Sequence, residues 1–363
     1  MNIRDIIKSS DNESKTNHLF DTYGVLSNPF PASNQTSENP HYNLGNSDEK
    51  TAHKIKDFIR DNKSQALIIE GTQGVGKTNF LNYFATEIAG ATKDMDGFFV
   101  VRYLADPENT FDRIIRHLFQ ELGFEHLNRL GKSLQQNDSP IELVRNQEVQ
   151  MALNNLKSGD EGIENVMMEW LLGHRFLKSH KEKLGVQFRL DTVEAKTSVL
   201  RDLVEVSLKA GVLNGIFLLL DELEKQDGVL GPRPVVRYLS AIRALIDALP
   251  KGLFLMMAVT PDALLRYSSA LPALRGRLQN RIEMQLLMNV FEAVSLAEFY
   301  VKSAREKAQS EGLSNSRNCE ILSKEIIEGI FDQLYRNNSE KGVLQREFLH
   351  NLSVEVDRVM KNH

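Results

Sequence analysis

The run Gly71-Thr72-Gln73-Gly74-Val75-Gly76-Lys77-Thr78 fits the glycine-rich phosphate-loop pattern G-x-x-x-x-G-K-[ST]. Such a loop works between a strand and a helix, so it constrains the chain on both sides of itself. Both flanks comply: apolar Ala66-Leu67-Ile68-Ile69 reads as the strand before it, and Asn79 to Ile88 as the helix after it. The glycines let the backbone curl until its N–H groups face an anion, Lys77 reaches the terminal phosphates, and the Thr78 hydroxyl ligates Mg²⁺. The helix opened by the loop adds the partial positive charge of its N-terminus. Gly71, Thr72, Gln73, Gly74, Val75, Gly76, Lys77, Thr78 and Asn79 are therefore the candidate residues for holding a nucleoside triphosphate with its Mg²⁺. The alternative is a chance glycine-rich turn, and the flanking strand and helix oppose it.

A second constraint lies far along the chain. Gly215-Ile216-Phe217-Leu218-Leu219-Leu220 is a continuous apolar run that ends in Asp221-Glu222. A strand buried on both faces of a parallel sheet is apolar throughout, and ligands bind at the carboxyl ends of such strands. There Asp221 serves the Mg²⁺ shell, often through water, and Glu222 orients or deprotonates an attacking water. The competing account is a strand that happens to meet a charged turn. Leu253 to Val259 reads as a further strand, tipped by Thr260-Pro261-Asp262. Thr260 is a candidate sensor of the γ-phosphate and equally a candidate cap for the helix that Pro261 begins. Next comes Leu274-Arg275-Gly276-Arg277-Leu278-Gln279-Asn280-Arg281. A guanidinium suits phosphate because its planar fork stays charged and donates two parallel hydrogen bonds, which makes Arg275, Arg277 and Arg281 candidates; a solvated helix face competes.

Around these motifs the chain orders itself. Residues 1–46 are rich in Asn, Ser, Asp and Pro and read as an extended arm, with docking expected around Tyr23 to Phe30. Residues 47–290 read as a P-loop α/β domain that opens with a helix from Ser47 to Asn62 and carries a helical insertion over about 127–207. Within it, Phe98 to Leu104 reads as a buried strand, and Phe111, Ile114, Ile115, Leu118, Phe119 and Leu122 recur at helical spacing up to a stop at Gly123. Strand and helix in alternation predict a parallel sheet flanked by helices. Residues 291–363 read as an all-helical lid domain. Its last helix starts at Gly342 to Arg346, where Arg346 either turns toward nucleotide or pairs with Glu347 or another surface acid.

Composition limits the partners. Of 363 residues, 44 are Lys or Arg and 49 are Asp or Glu, a formal net charge of −5, so no global basic field draws the chain to nucleic acid or an anionic membrane. DNA contact is possible only locally. His174, Arg175, Lys178, His180, Lys181, Lys183 and Arg189 form a basic stretch in the insertion, although Glu182 and neighbouring acids favour a solvated helix face. The N-terminal residues lack the basic-then-apolar order of a secretory signal, and no apolar run approaches the roughly 20 residues of a membrane span. A cytoplasmic protein without membrane contact is expected. The single cysteine, Cys319, excludes an internal disulfide and a cysteine zinc site.

P-loop, acid pair, sensor at the following strand tip, arginines and helical lid, in this order over roughly Asn46 to Met360, resemble the AAA+ ATPases. A narrower likeness lies in Glu169-Trp170-Leu171-Leu172-Gly173-His174, Leu184-Gly185-Val186, and Ala210-Gly211 leading into Phe217-Leu218-Leu219-Leu220-Asp221-Glu222-Leu223-Glu224. With Gln345-Arg346-Glu347-Phe348-Leu349 near the end, these are similar to the ATP-binding proteins of bacterial BREX phage-defence systems, the BrxC/BrxD group.

The resemblance implies that Arg275, Arg277 or Arg281 acts as a finger on a neighbouring copy's nucleotide. It also implies that Arg346 is a second sensor, that the Tyr23 to Phe30 arm meets adenine, and that the chain forms an ATP-dependent homo-oligomer. On this reading the chain hydrolyses ATP to drive assembly or remodelling of a bacterial defence or DNA-processing complex. Lys77 stabilises phosphate charge, Thr78 and Asp221 position Mg²⁺, Glu222 activates water and Thr260 senses the γ-phosphate. The alternative is a slow or non-hydrolytic ATP switch that regulates a partner helicase, nuclease or methyltransferase, and a third account is a ring that loads or moves along DNA. The residues do not choose between ATP and GTP.

Overall fold

Four apolar segments and one short polar segment form the strands. A computed structural model of the chain describes residues 19, 21–32, 40–104, 111–174, 176–222, 232–272, 276–312 and 319–361. In order these give α1 (Ser47–Asp61), β1 (Gln65–Glu70), α2 (Lys77–Thr92), β2 (Phe98–Leu104) and α3 (Phe111–Gln136). The helical insertion adds α4 (Gln147–Ser158), α5 (Ile163–Leu171), α6 (Lys178–Leu184) and α7 (Val193–Lys209). Then come β3 (Gly215–Asp221), α8 (Pro232–Ala248), β4 (Leu253–Val259), α9 (Pro261–Ala270) and β5 (Asn280–Glu283). The C-terminal helices are α10 (Val290–Ser310), α11 (Lys324–Asn337) and α12 (Gln345–Lys361). Contacts divide the described residues into two compact units, one drawn from 46–71 and 81–283, the other from 1–45, 72–80 and 284–363.

The first unit is built on a five-stranded sheet in the order β2-β3-β4-β1-β5, with every pairing parallel. Parallel neighbours need crossovers, which is why helices separate these strands in the chain. β3 and β4 are central and buried at every position, and this explains their unbroken apolar content. At the entry end of the sheet Phe58 of α1 meets Phe217 edge-on, with ring centroids 5.0 Å apart. A Cβ added to Gly215 would lie 2.9 Å from the Phe58 ring, so only glycine permits that approach.

Two elements depart from the sequence reading. β5 falls inside and beyond the arginine run, where a helix face was one expectation; Asn280 to Glu283 instead pairs in parallel with Leu67 to Glu70. It is an edge strand with one buried residue, Ile282, so no apolar run announces it. Gly123 does interrupt its helix, with φ 71° and ψ −179°, but helix resumes at once and continues to Gln136.

In the insertion the tryptophan-leucine-x-glycine element is structural. Trp170 is buried, and its indole N–H donates to the Phe188 carbonyl at 3.0 Å. Gly173 has φ 67°, and a Cβ there would sit 2.8 Å from the Leu190 carbonyl oxygen. Lys196 of α7, 1% exposed, is neutralised by Asp112 of α3. Also between α3 and α7, the buried His126 places Nε2 3.0 Å from the Ser207 hydroxyl. Burial, with a smaller push from Arg129, lowers its pKa to about 4.

The second unit packs α10, α11 and α12 around Tyr300, Phe331, Phe348 and Leu352. Tyr23, Val25 and Phe30 of the arm are buried in the same core. The Asn28 amide fastens them by donating to the Ser353 carbonyl at 2.9 Å, the Ser353 hydroxyl at 3.1 Å and Asp357 Oδ1 at 2.8 Å. The arm therefore docks as expected around Tyr23 to Phe30. Among the described residues no helix is long and apolar enough to cross a membrane.

Candidate nucleotide site

The phosphate loop leaves β1 through Gly71, whose N–H donates to the Val259 carbonyl of β4 at 3.2 Å. Within the loop, Gly74 has φ 89° and Gly76 φ 106°, so these two positions need glycine. Phe80 N–H donates to the Gly76 carbonyl at 2.9 Å, which starts the hydrogen-bond ladder of α2. Lys77 is 8% exposed and its ammonium donates to the Thr72 carbonyl at 3.1 Å. Thr72 and Gln73 are exposed, Val75 is buried and Thr78 is half-buried. Asn79 uses its side chain elsewhere, donating to the Pro40 carbonyl at 3.0 Å, and His41 meets the Phe80 ring edge-on.

Arg346 is the feature of the lid helix that the loop meets. Its backbone N–H donates to the Gly74 carbonyl at 3.2 Å, and a Cβ on Gly74 would lie 3.6 Å from Arg346 Cβ. Gln345 approaches Gly76 in the same way, its Oε1 3.5 Å from where a Cβ would stand. The first turn of α12 therefore lies on the phosphate loop. The alternative pairing of Arg346 with a surface acid is absent among the described residues, where its guanidinium has no ion pair.

In the sheet unit, Asp221 ends β3 with its side chain 2% exposed. Its Oδ1 accepts the Glu222 N–H at 2.9 Å, and its Oδ2 accepts Arg102 Nη2 at 2.8 Å. Glu222 has φ 56°, a left-handed conformation that non-glycine residues seldom adopt. Thr260 caps α9: its hydroxyl oxygen accepts the Ala263 N–H at 3.3 Å. That bond uses the oxygen as acceptor and leaves the hydroxyl proton as a donor. Because β4 lies beside both β3 and β1, Thr260 and Asp221 issue from the same edge of the sheet.

The arginine run is partly accounted for within the chain. Arg277 donates to Asp247 at 2.9 Å, and Arg281 of β5 lies 3.7 Å from Glu70. Arg275 lies outside the described residues. The basic stretch of the insertion is likewise engaged. His180 meets Glu169 at 2.7 Å, Lys178 meets Glu182 at 3.8 Å, and Arg189 pairs with Asp191 at 2.9 Å. Lys181 and Lys183 donate to the carbonyls of Gln187 and Glu161. His174 is exposed, and Arg175 is outside the described residues. These contacts fit a helix face tied to its own neighbours.

Sequence reasoning missed Arg102, which joins three elements. Besides Asp221, its Nε donates to Asn82 Oδ1 of α2 at 3.1 Å. The available signal was a cation inside the apolar strand Phe-Phe-Val-Val-Arg-Tyr-Leu. Among the described residues no group of three or more His, Cys, Asp or Glu can hold a metal by itself. Taken singly, the Thr78 hydroxyl and the Asp221 carboxylate are each hard oxygen donors, the class of ligand that Mg²⁺ takes beside water and phosphate.

Comparison with known proteins adds three findings. A family model described as BREX system ATP-binding protein BrxC/D matches residues 129–362, more than half of the chain, beginning after the phosphate loop. Among solved structures, the ORC2 protein of Aeropyrum pernix in its ADPNP–ADP complexes is similar at 10% identity with a TM-score of 0.46, covering 90% of this chain and 72% of that one. A Walker-type ATPase of Pyrococcus abyssi is similar at 14% identity with a TM-score of 0.42, covering 90% and 73%. A comparison with curated proteins finds no match.

Proposed function

Because the chain belongs to the BREX system ATP-binding protein BrxC/D family, we propose that it hydrolyses the ATP it binds and uses the cycle to assemble or remodel a defence or DNA-processing complex of several copies. One observation carries this reading: β3 ends in a buried, doubly hydrogen-bonded Asp221 followed by Glu222 in a strained left-handed conformation. Strain of this kind persists where the surrounding fold enforces it, and it concentrates at working sites. Lys77 holds the phosphates, Thr78 and Asp221 supply oxygens to Mg²⁺, and Glu222 takes the proton of the attacking water. Mg²⁺, when bound, neutralises charge on the transferring phosphoryl group. Thr260 offers its hydroxyl proton to the γ-phosphate while capping α9, and Arg346 brings a cation from the lid helix. An arginine from the run at 275, 277 or 281 completes the site of another copy.

Removing one such charge stabiliser costs about 3–4 kcal/mol of barrier, a loss of two to three orders of magnitude in rate. The Glu222→Gln protein is expected to bind ATP and lose turnover to that extent, whereas Lys77→Ala loses binding. Its mass in solution, measured with and without ATP and DNA, is expected to rise with ATP. Undiminished turnover removes Glu222 from its role, and a monomer under every condition removes the arginine in trans. The slow-switch reading has one observation in its favour: Arg277 and Arg281 both face acids of their own chain, so neither of these two is presented as a finger until its pair opens. A stable ATP complex without turnover, alone or with DNA, is the result that reading expects.

A further inference from the structure

Arg102 is the one charged residue of β2. The parallel register sets it opposite Leu219 of β3, and paired side chains on neighbouring strands share a face. The two-residue period of a strand returns Asp221 to that face one pleat further on. Arg102 reaches diagonally forward to it, with Nη2 at 2.8 Å from Oδ2. A carboxylate as buried as Asp221 is costly unless a charge compensates it, and Arg102 is the only cation paired with it among the described residues. A divalent cation ligated by the same carboxylate removes the need for that compensation and repels the guanidinium. Arg102 keeps other acceptors when this happens, Asn82 Oδ1 at 3.1 Å and the Tyr103 carbonyl at 3.4 Å.

We infer that Arg102 is the resident counter-ion of Asp221, balancing the carboxylate in the cation-free protein and yielding it to the divalent cation that arrives with the nucleotide. The exchange opposes metal binding, so the gain in ATP affinity conferred by Mg²⁺ is smaller with Arg102 present than without it. Asn82 lies on α2, the helix opened by the phosphate loop, so the released guanidinium remains tied to that helix. The inference rests on the reading of Asp221 as a Mg²⁺ ligand.

The test reads binding and not turnover. The Kd of a fluorescent ATP analogue is measured in EDTA and in MgCl₂, and the ratio of the two is compared among variants. Arg102→Met keeps the aliphatic stem and removes the charge, while Arg102→Gln also keeps a donor for Asp221. Both are expected to raise the ratio about tenfold or more, the effect of removing an opposite charge in contact with a carboxylate. Arg102→Lys is expected to retain the wild-type ratio. If the methionine protein does not fold, the glutamine protein decides. A ratio that Asp221→Asn abolishes but that is unchanged or lowered in the charge-removing variants overturns the counter-ion role alone. A wild-type ratio that Asp221→Asn leaves intact overturns the metal reading of Asp221, and the inference with it.

Discussion

Lowering the pH should destabilise the sheet unit by way of His126, and the size of the effect follows from its surroundings. The ring is 2% exposed, and burial pushes its pKa from 6.5 down to about 4. A folded-state pKa below the unfolded value means that the unfolded chain takes up the proton first. The contribution to stability is therefore complete above pH 6.5, lost as the pH falls from there toward 4, and constant below. At 1.36 kcal/mol per pKa unit the whole span is roughly 3 kcal/mol, of which about 2 kcal/mol is gone at pH 5. That is a large part of the 5–15 kcal/mol typical of a domain.

Replacing His126 by Phe removes the titrating group and keeps an aromatic ring beside Phe99, which the imidazole meets edge-on at 5.5 Å. Ser207 loses its imidazole partner but can turn to a carbonyl of its own helix. The single tryptophan, Trp170, belongs to the same unit, so its fluorescence during urea unfolding reports on that unit. The drop in unfolding free energy between pH 7.5 and pH 5 is expected to be about 2 kcal/mol smaller in the Phe variant than in the parent. Other groups titrate alike in both proteins and cancel in this double difference. Equal drops would refute the claim that the buried imidazole carries the pH dependence.

Two further outcomes are expected. Gly173→Ala forces a side chain into φ 67° with its Cβ 2.8 Å from the Leu190 carbonyl oxygen; a loss of about 1–3 kcal/mol in Trp170-monitored unfolding is expected, with no loss counting against the structural role of this glycine. Thr260→Asn keeps a side-chain acceptor for the Ala263 N–H, whereas Thr260→Val removes it, so Val alone should cost about 1 kcal/mol of stability. If Thr260 also senses the γ-phosphate, the Val variant, which has no donor, loses ATP turnover while the Asn variant, whose amide still donates, keeps it; wild-type turnover in the Val variant leaves only the cap.

The parts of the fold that were readable along the chain are those whose cause is local. β3 and β4 lie inside a parallel sheet, buried at every position, so their apolar runs have no competing interpretation. The phosphate loop is readable because glycine at positions 74 and 76 answers a backbone requirement of the loop itself. The cap at Thr260 is readable because Pro261 fixes where the helix starts. β5 was hidden because an edge strand four residues long, with one buried side chain, needs no apolar pattern. The approach of Arg346 to Gly74 and the burial of Tyr23 and Phe30 join segments far apart in the chain, which no spacing rule connects. The arm showed only that its aromatic residues sought a partner, and the core of the C-terminal helices supplied one.

Charge placement in the sheet follows a rule that becomes visible only with the strand order. The two outer strands, β2 and β5, each carry an arginine, and their inner neighbours, β3 and β1, each carry an acid at the carboxyl end. Arg102 pairs in register with Leu219 and reaches Asp221 two residues on; Arg281 pairs with Ile68 and reaches Glu70 two residues on. The offset is the same on both sides of the sheet. Slipping either strand by one residue would turn its arginine to the opposite face and strand the acid, so each pair helps to fix its register. The two pairs differ in energetic weight. Arg281 is 40% exposed and 3.7 Å from Glu70, an arrangement worth little in water, whereas the Asp221 side chain is 2% exposed and bonded at 2.8 Å. In this sheet the arginine of each outer strand therefore meets an acid one pleat ahead on its inner neighbour, and burial of the acid separates the tightly bonded pair at Asp221 from the exposed pair at Glu70.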